Sequence, residues 1–250
     1  MLSVYSFVIL AVLVYSSNGE DGYLPPYIKP CSYDNKDLGA CVKTQIENSL
    51  NSFAKGIPEL DVPSLDPVQL DNIIIDGNGL KLAFTNASMH GISNSKLTNL
   101  KVALGKMDEA FSLSFKANLS LTAHYEADGQ ILVLPIKGNG DALVFAQGCE
   151  VTIDSNLVHY KDGKGEHLKL KSPNYKYTFE RTVFHLENLF NGNKQLSDAT
   201  LEFANANWQQ LMDDLAPPVI KKIVKTAVKS INKFFAGVTI QQIVVGYTRS

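Results

Sequence analysis

The sequence predicts an α+β fold, with helices toward both ends of the chain and a long, strongly curved antiparallel sheet between them. Three observations carry this. Val42, Ile46, Leu50, Phe53 and Ile57 recur at spacings of four and three, one stripe of a helix. From Phe111 to Tyr125 every odd position is apolar or aromatic and every even position up to His124 is polar. From Leu196 onward the apolar period returns to that of a helix.

At the N-terminus, Phe7 to Val14 form eight consecutive apolar residues followed by small residues at Ser16, Ser17 and Gly19. The run is well short of the roughly 18 to 20 residues of a membrane span, and this anatomy predicts a signal peptide over residues 1–19. The mature chain is then one domain over residues 20–250, secreted into extracellular fluid. The balance of 23 Lys+Arg against 25 Asp+Glu argues against a nucleic-acid partner.

The stretch "CSYDNKDLGAC" places Cys31 and Cys41 ahead of the first helical stripe. The pair lacks CxxC spacing and a neighbouring histidine cluster, which weakens redox and zinc readings. An oxidising compartment favours a disulfide staple, and Cys149 is then expected as a buried, inert thiol. Sequons at Asn86-Ala87-Ser88 and Asn118-Leu119-Ser120 suit the same compartment. Asn118 falls on the polar face of the alternating strand. Asn86 shares parity with Leu80, Leu82 and Phe84, so a bulge or strand end is expected there.

The first helix is expected to end at Gly56 and Pro58, before a crossover containing Pro63 and Pro67. Strands follow at "GLKLAF" and "LKVAL", then the long alternating one. "GQILVLPIKGNG", apolar on both parities, reads as a strand buried on both faces. "HLKLK" and "YKYTFERTVFHL" continue the sheet, and the GxG triplets of "GNGLKL", "GNGDAL" and "GKGEHL" read as hairpin turns.

In the tail, Ser197 or Asp198 is the expected N-cap and Pro217-Pro218 a break or kink. Beyond the prolines, Val219, Ile220, Ile223, Val224, Ala227, Val228, Ile231, Phe234 and Phe235 span about 180° of a wheel. Lys221, Lys222, Lys225, Lys229 and Lys233 occupy the opposite arc. This reads first as a core helix with a solvated face, and second as a helix for a membrane surface or lipopolysaccharide.

Catalytic signatures are missing. "GISNS" lacks the final glycine of a nucleophile elbow, and the five histidines show no metal-ligand spacing. The expectation is a non-enzyme without cofactor or metal, with a lipid-ester hydrolase as the weaker rival.

The motifs "LPPYIKPC", "KGIPELDVPSLDP", "YEADGQILVLPIKGNG", "HLENLFNG" and "LSDATLEFANANWQQLMDDLAPPV" together resemble the insect takeout and haemolymph juvenile hormone-binding protein family. The takeout branch is the nearer, because the cysteines of a second bridge are missing. The resemblance implies a tubular lipid-binding architecture: a long helix wrapped by the curved sheet, enclosing a hydrophobic tunnel. The implied function is carriage of an elongated fatty-acid-like or terpenoid ligand, juvenile hormone-like molecules included. The chain would be a monomer, with a receptor or membrane surface as further partner. Candidate tunnel residues are Val42, Ile46, Leu50 and Phe53 on the first helix, with Phe111, Leu113, Phe115, Leu119, Leu121 and Tyr125 on the long strand. Each reads first as core and only second as lining. Trp208 is added from the family motif, and the Tyr125 hydroxyl is a candidate to orient a polar head group.

Overall fold

A computed structural model describes residues 23–34, 36–104 and 110–248. The expected signal peptide, residues 1–19, lies outside the described residues. The elements in order are β1 (Cys31–Ser32), α1 (Leu38–Ala54), β2 (Val68–Gln69), β3 (Ile73–Gly77), β4 (Leu80–His90), β5 (Lys96–Val102), β6 (Ala110–Ile131), β7 (Leu134–Asp162), β8 (Gly165–Thr178), β9 (Arg181–Leu186), α2 (Lys194–Ala206), α3 (Trp208–Gly237), α4 (Ile240–Ile243) and β10 (Val244–Val245).

The spine of the sheet is the β6–β7 hairpin, 22 residues against 29. At about 3.3 Å per residue β6 alone reaches about 70 Å. Shorter strands tile this spine end to end. On one side β4 pairs with β6 over residues 120–129 and β5 over residues 111–116. On the other, β9 pairs with β7 over residues 142–147 and β8 over residues 150–162. All these pairings are antiparallel. Bulges interrupt the register at Ala117/Leu119, Thr85/Ser88, Leu97/Asn99 and Asp154/Asn156, and bulges bend and twist strands. The bulge in β4 resolves the parity conflict: Asn86 takes a positive φ of 53° and is exposed, and the buried parity passes from Leu82 and Phe84 to Ala87 and Met89.

The inward face of β6 follows the alternation read from the sequence, with Phe111, Leu113, Leu119, Leu121, Ala123, Tyr125 and Ala127 buried. The strand is longer than the fifteen alternating residues because Ala127 and Ile131 continue the buried face. The reading of "GQILVLPIKGNG" as a strand buried on both faces is corrected. Leu132 has a positive φ of 53° and Val133 is 71 % exposed, so these two residues form the β6–β7 turn. The glycine triplet at 138–140 is likewise no turn but lies inside β7. Its glycines admit neighbours: a side chain on Gly138 would collide with the Tyr125 hydroxyl and Leu189, and one on Gly140 with Glu187. The turns at Asn78–Gly79 and Gly163–Lys164 are as expected, the first with positive φ at both residues.

Helix α1 starts earlier than its apolar stripe suggests. Asp37 caps it by accepting from Ala40 N at 2.9 Å, so Cys41 sits within the helix rather than ahead of it. At the far end of the chain, Asn193, not Ser197 or Asp198, caps α2 by accepting from Leu196 N. The helix breaks at Asn207, whose side chain donates to Phe203 O at 2.8 Å, and not at the prolines. Helix α3 runs through Pro217 and Pro218. The carbonyls that the two prolines deprive of a helical donor belong to Asp213 and Asp214, two exposed residues.

At about 1.5 Å per residue, the 30 residues of α3 span about 45 Å and lie along the inner side of the sheet. Ile220, Ile223, Val224, Val228 and Phe234 are buried. The lysine arc is only partly free. Lys222 Nζ donates to Leu70 O and Asn72 O at 2.6 and 2.7 Å, and Lys233 Nζ to Asp61 O at 2.6 Å, while Lys221, Lys225 and Lys229 are exposed. No described helix is long and apolar enough to cross a membrane.

Candidate ligand-binding site

Two apolar chambers lie between the helices and the concave sheet. The larger, about 280 Å³, is enclosed by α1, the first half of β6, β7 from Cys149 to Leu157, and the second half of α3. The smaller, about 80 Å³, lies between β4, the second half of β6, β9, α2 and the start of α3. Leu119 lines both. The wide apolar stripe of α3 also serves both: Val219 and Ile220 face the smaller chamber, and Ile223, Val224, Ala227 and Ile231 the larger.

Val42, Ile46, Leu50, Phe53, Phe111, Leu113, Phe115 and Leu119 all line the larger chamber, and Leu121 lines the smaller. Their convergence follows from two periodicities meeting: the four-and-three stripe of α1 and the inward parity of β6. Phe115 and Ala117 are only half-buried because the chamber, not packed protein, lies against them.

Tyr125 and Trp208 line neither chamber. The head-group role considered for Tyr125 is therefore corrected. Its side chain is 0 % exposed and its hydroxyl donates to Glu187 O at 2.6 Å, an internal brace between β6 and the loop after β9. Burial pushes this phenol up to about 12. Trp208 opens α3, half-buried against the main core.

Polar groups on the larger chamber are few. Ser49 Oγ donates to Gln45 O at 2.7 Å and Ser95 Oγ to Ile92 O at 2.6 Å, so both hydroxyls are occupied. Lys29 and Gln45 complete the polar lining, beside Cys31 and Val42. Lys29 is exposed, so this end of the chamber meets solvent. The backbone N–H of Lys29 donates to Gln45 Oε1 at 3.0 Å. Neither residue was singled out from the sequence, since an exposed lysine and a glutamine on the polar side of a stripe carry no distinguishing signal.

That end is mechanically fixed. Cys31 and Cys41 form a disulfide, with Cα atoms 6.0 Å apart, tying β1 to α1. Cys31 also pairs with Val244 in the parallel β1–β10 ladder. Cys149 is a free, buried thiol on the chamber wall, pushed up to about 12 by burial and so uncharged at ordinary pH. Asn118 and Asn86 are exposed. The Asn118 Oδ1 accepts from Gly148 N at 2.9 Å, a bond that its amide nitrogen does not share. Among the described residues no group of three or more His, Cys, Asp or Glu could hold a metal ion.

Comparison with known proteins agrees with this architecture. A family model described as haemolymph juvenile hormone binding protein matches residues 8–245. The chain is 27 % identical over 235 residues to the circadian clock-controlled protein daywake of Drosophila melanogaster, covering 88 % of each chain. It is 28 % identical over 209 residues to daywake of Drosophila yakuba, covering 78 % of each. The crystal structure of Takeout 1 from Epiphyas postvittana superposes with a TM-score of 0.80 at 29 % identity, covering 87 % of this chain and all of that one.

Proposed function

The chain belongs to the haemolymph juvenile hormone binding protein family, and from that premise we propose that it is a secreted, non-enzymatic carrier of an elongated apolar small molecule. The observation that carries this reading is the larger chamber, whose wall is apolar apart from a few groups, two of them serines already hydrogen-bonded to backbone carbonyls. Its 280 Å³ is close to the lower end of small-molecule sites, which run from about 300 Å³ upward. A chain too long for it would pass Leu119 into the smaller chamber, making one tunnel of the two.

Binding would come chiefly from desolvation. About 300 Å² of buried apolar ligand surface corresponds to about 7 kcal/mol before the losses of association. The acid–base groups of the fold support no competing chemistry at this wall: the Cys149 thiol is held neutral and the two serines are spent on carbonyls.

The test is an organic extract of protein purified from its secreting host, examined by mass spectrometry, alongside displacement of a fluorescent fatty acid. A stoichiometric long-chain lipid or terpenoid is expected. A clean extract together with no displacement would overturn the carrier reading.

A further inference from the structure

We infer that the solvent-facing end of the larger chamber is a head-group site, selecting ligands that end in a carboxylate over neutral esters, alcohols or hydrocarbons of the same chain. The inference rests on the carrier reading and gives its ligand a chemical class. The juxtaposition that carries it is Lys29 and Gln45, side by side on an otherwise apolar wall.

The argument is an accounting of donors and acceptors. Gln45 Oε1 accepts from the backbone N–H of Lys29 at 3.0 Å, which fixes the amide's orientation because its nitrogen cannot accept that bond. The Gln45 Nε2 group is then left with two protons to donate, and no partner for them is found among the described residues. The Lys29 ammonium has three protons and likewise lacks an ion-pair partner among the described residues. Ser49 and Ser95, the remaining polar side chains on this wall, donate to the backbone carbonyls of Gln45 and Ile92 and leave no free hydroxyl proton. The end of the chamber therefore offers donors and a positive charge, with its one side-chain carbonyl already engaged. A carboxylate accepts only, carries the complementary charge, and has two oxygens for two donors. An alcohol or ester also accepts hydrogen bonds but leaves the charge unanswered.

The position is also rigid. Lys29 lies two residues before Cys31, which is bonded to Cys41 and paired with Val244, and Gln45 is one turn beyond Cys41 in α1. The Lys29 backbone and the Gln45 amide are thus held together beside the disulfide, while the apolar tail would run along Val42, Ile46 and Phe115.

The experiment compares palmitic acid with methyl palmitate as competitors of an uncharged fluorescent probe, for the wild-type chain, Lys29→Met and Gln45→Glu. Gln45→Glu keeps an oxygen for the Lys29 N–H and replaces the amide donor by a second anion. The wild type is expected to bind the acid about tenfold more tightly than the ester at low salt, the size of one charged hydrogen bond, and less selectively at high salt. The acid-to-ester ratio is expected to fall toward one in Lys29→Met and below one in Gln45→Glu. A wild-type ratio of one, or a ratio that neither substitution moves, overturns the head-group site and leaves the carrier standing. If neither competitor displaces the probe, the carrier reading falls and this inference with it.

Discussion

His167 on β8 holds Val238 at the end of α3: its Nδ1 donates to Val238 O at 2.8 Å and lies 3.0 Å from Phe235 O. The same ring reaches Asp162 Oδ1 through Nε2 at 3.1 Å and stacks on Tyr160. A buried imidazole thereby joins the β7–β8 turn to the C-terminal turn of the long helix. Phe235 lines the larger chamber, so this clamp sets part of its wall. His167→Leu leaves the buried Val238 carbonyl without its donor and is expected to lower unfolding stability by about 1–3 kcal/mol. Urea denaturation measures this, and a loss below 0.5 kcal/mol (about the scatter of a neutral surface change) would show that the clamp is slack.

The staple makes a separate prediction. The disulfide closes a short loop, worth about 3 kcal/mol in the chain-entropy model, and it fixes the end of the chamber where Lys29 and Gln45 lie. Cys31→Ser should lower the melting temperature and speed release of a bound fluorescent fatty acid together. Unchanged release with a lowered melting temperature would confine the bridge to a stabilising role.

Tyr125→Phe tests the brace. Removing the hydroxyl leaves Glu187 O without its donor, at a cost of about 1–3 kcal/mol, while ligand affinity should stay within about twofold because the ring touches neither chamber. A large affinity loss with unchanged stability would reverse the assignment.

Acid should act through Asp66. Burial pushes this carboxyl up, but hydrogen bonds from the Ser93 hydroxyl, Ser93 N–H and Gly91 N–H together outweigh it, with His90 adding to them, and hold it below its ordinary 3.8. A carboxyl depressed in the folded state stabilises fully above its unfolded value and loses that contribution as pH falls through the folded one. Wild type and Asp66→Asn should therefore differ in urea midpoint at pH 7 and converge below pH 4. A gap that persists unchanged into acid would contradict this.

A partly filled chamber should bind its ligand less tightly. Ala117→Phe projects a ring from a half-buried wall position into free space, so a drop of at least tenfold in affinity is expected with about 1 kcal/mol or less of destabilisation. Fluorescent-probe titration beside a thermal melt reads both.

What the sequence discloses and withholds divides along physical lines. The eight chamber residues of α1 and β6 were legible because each element has one strict period and one buried face. The bulge at Asn86 was legible as a parity conflict. The 29-residue β7 was not, because Gly138 and Gly140 look like turn residues and are instead clearances for Tyr125, Leu189 and Glu187, which come from distant parts of the chain. Nor was the path of α3: two adjacent prolines read locally as a break, and only the exposure of Asp213 and Asp214 makes their orphaned carbonyls harmless. The partner of the Tyr125 hydroxyl lies 62 positions away, beyond any local pattern.

The parallel pairing of Cys31 with Val244 has a consequence for how the molecule comes into being. One wall segment is synthesised near the start of the described chain and its partner near the end, so the two meet only after everything between them has emerged. Contacts of such large sequence separation pay their closure entropy late. The sheet and α3 can form a trough first, and the rim at Cys31 and Val244 seals it last. Closing this rim therefore carries a larger chain-closure entropy than closing the β6–β7 hairpin, whose strands are joined by a two-residue turn.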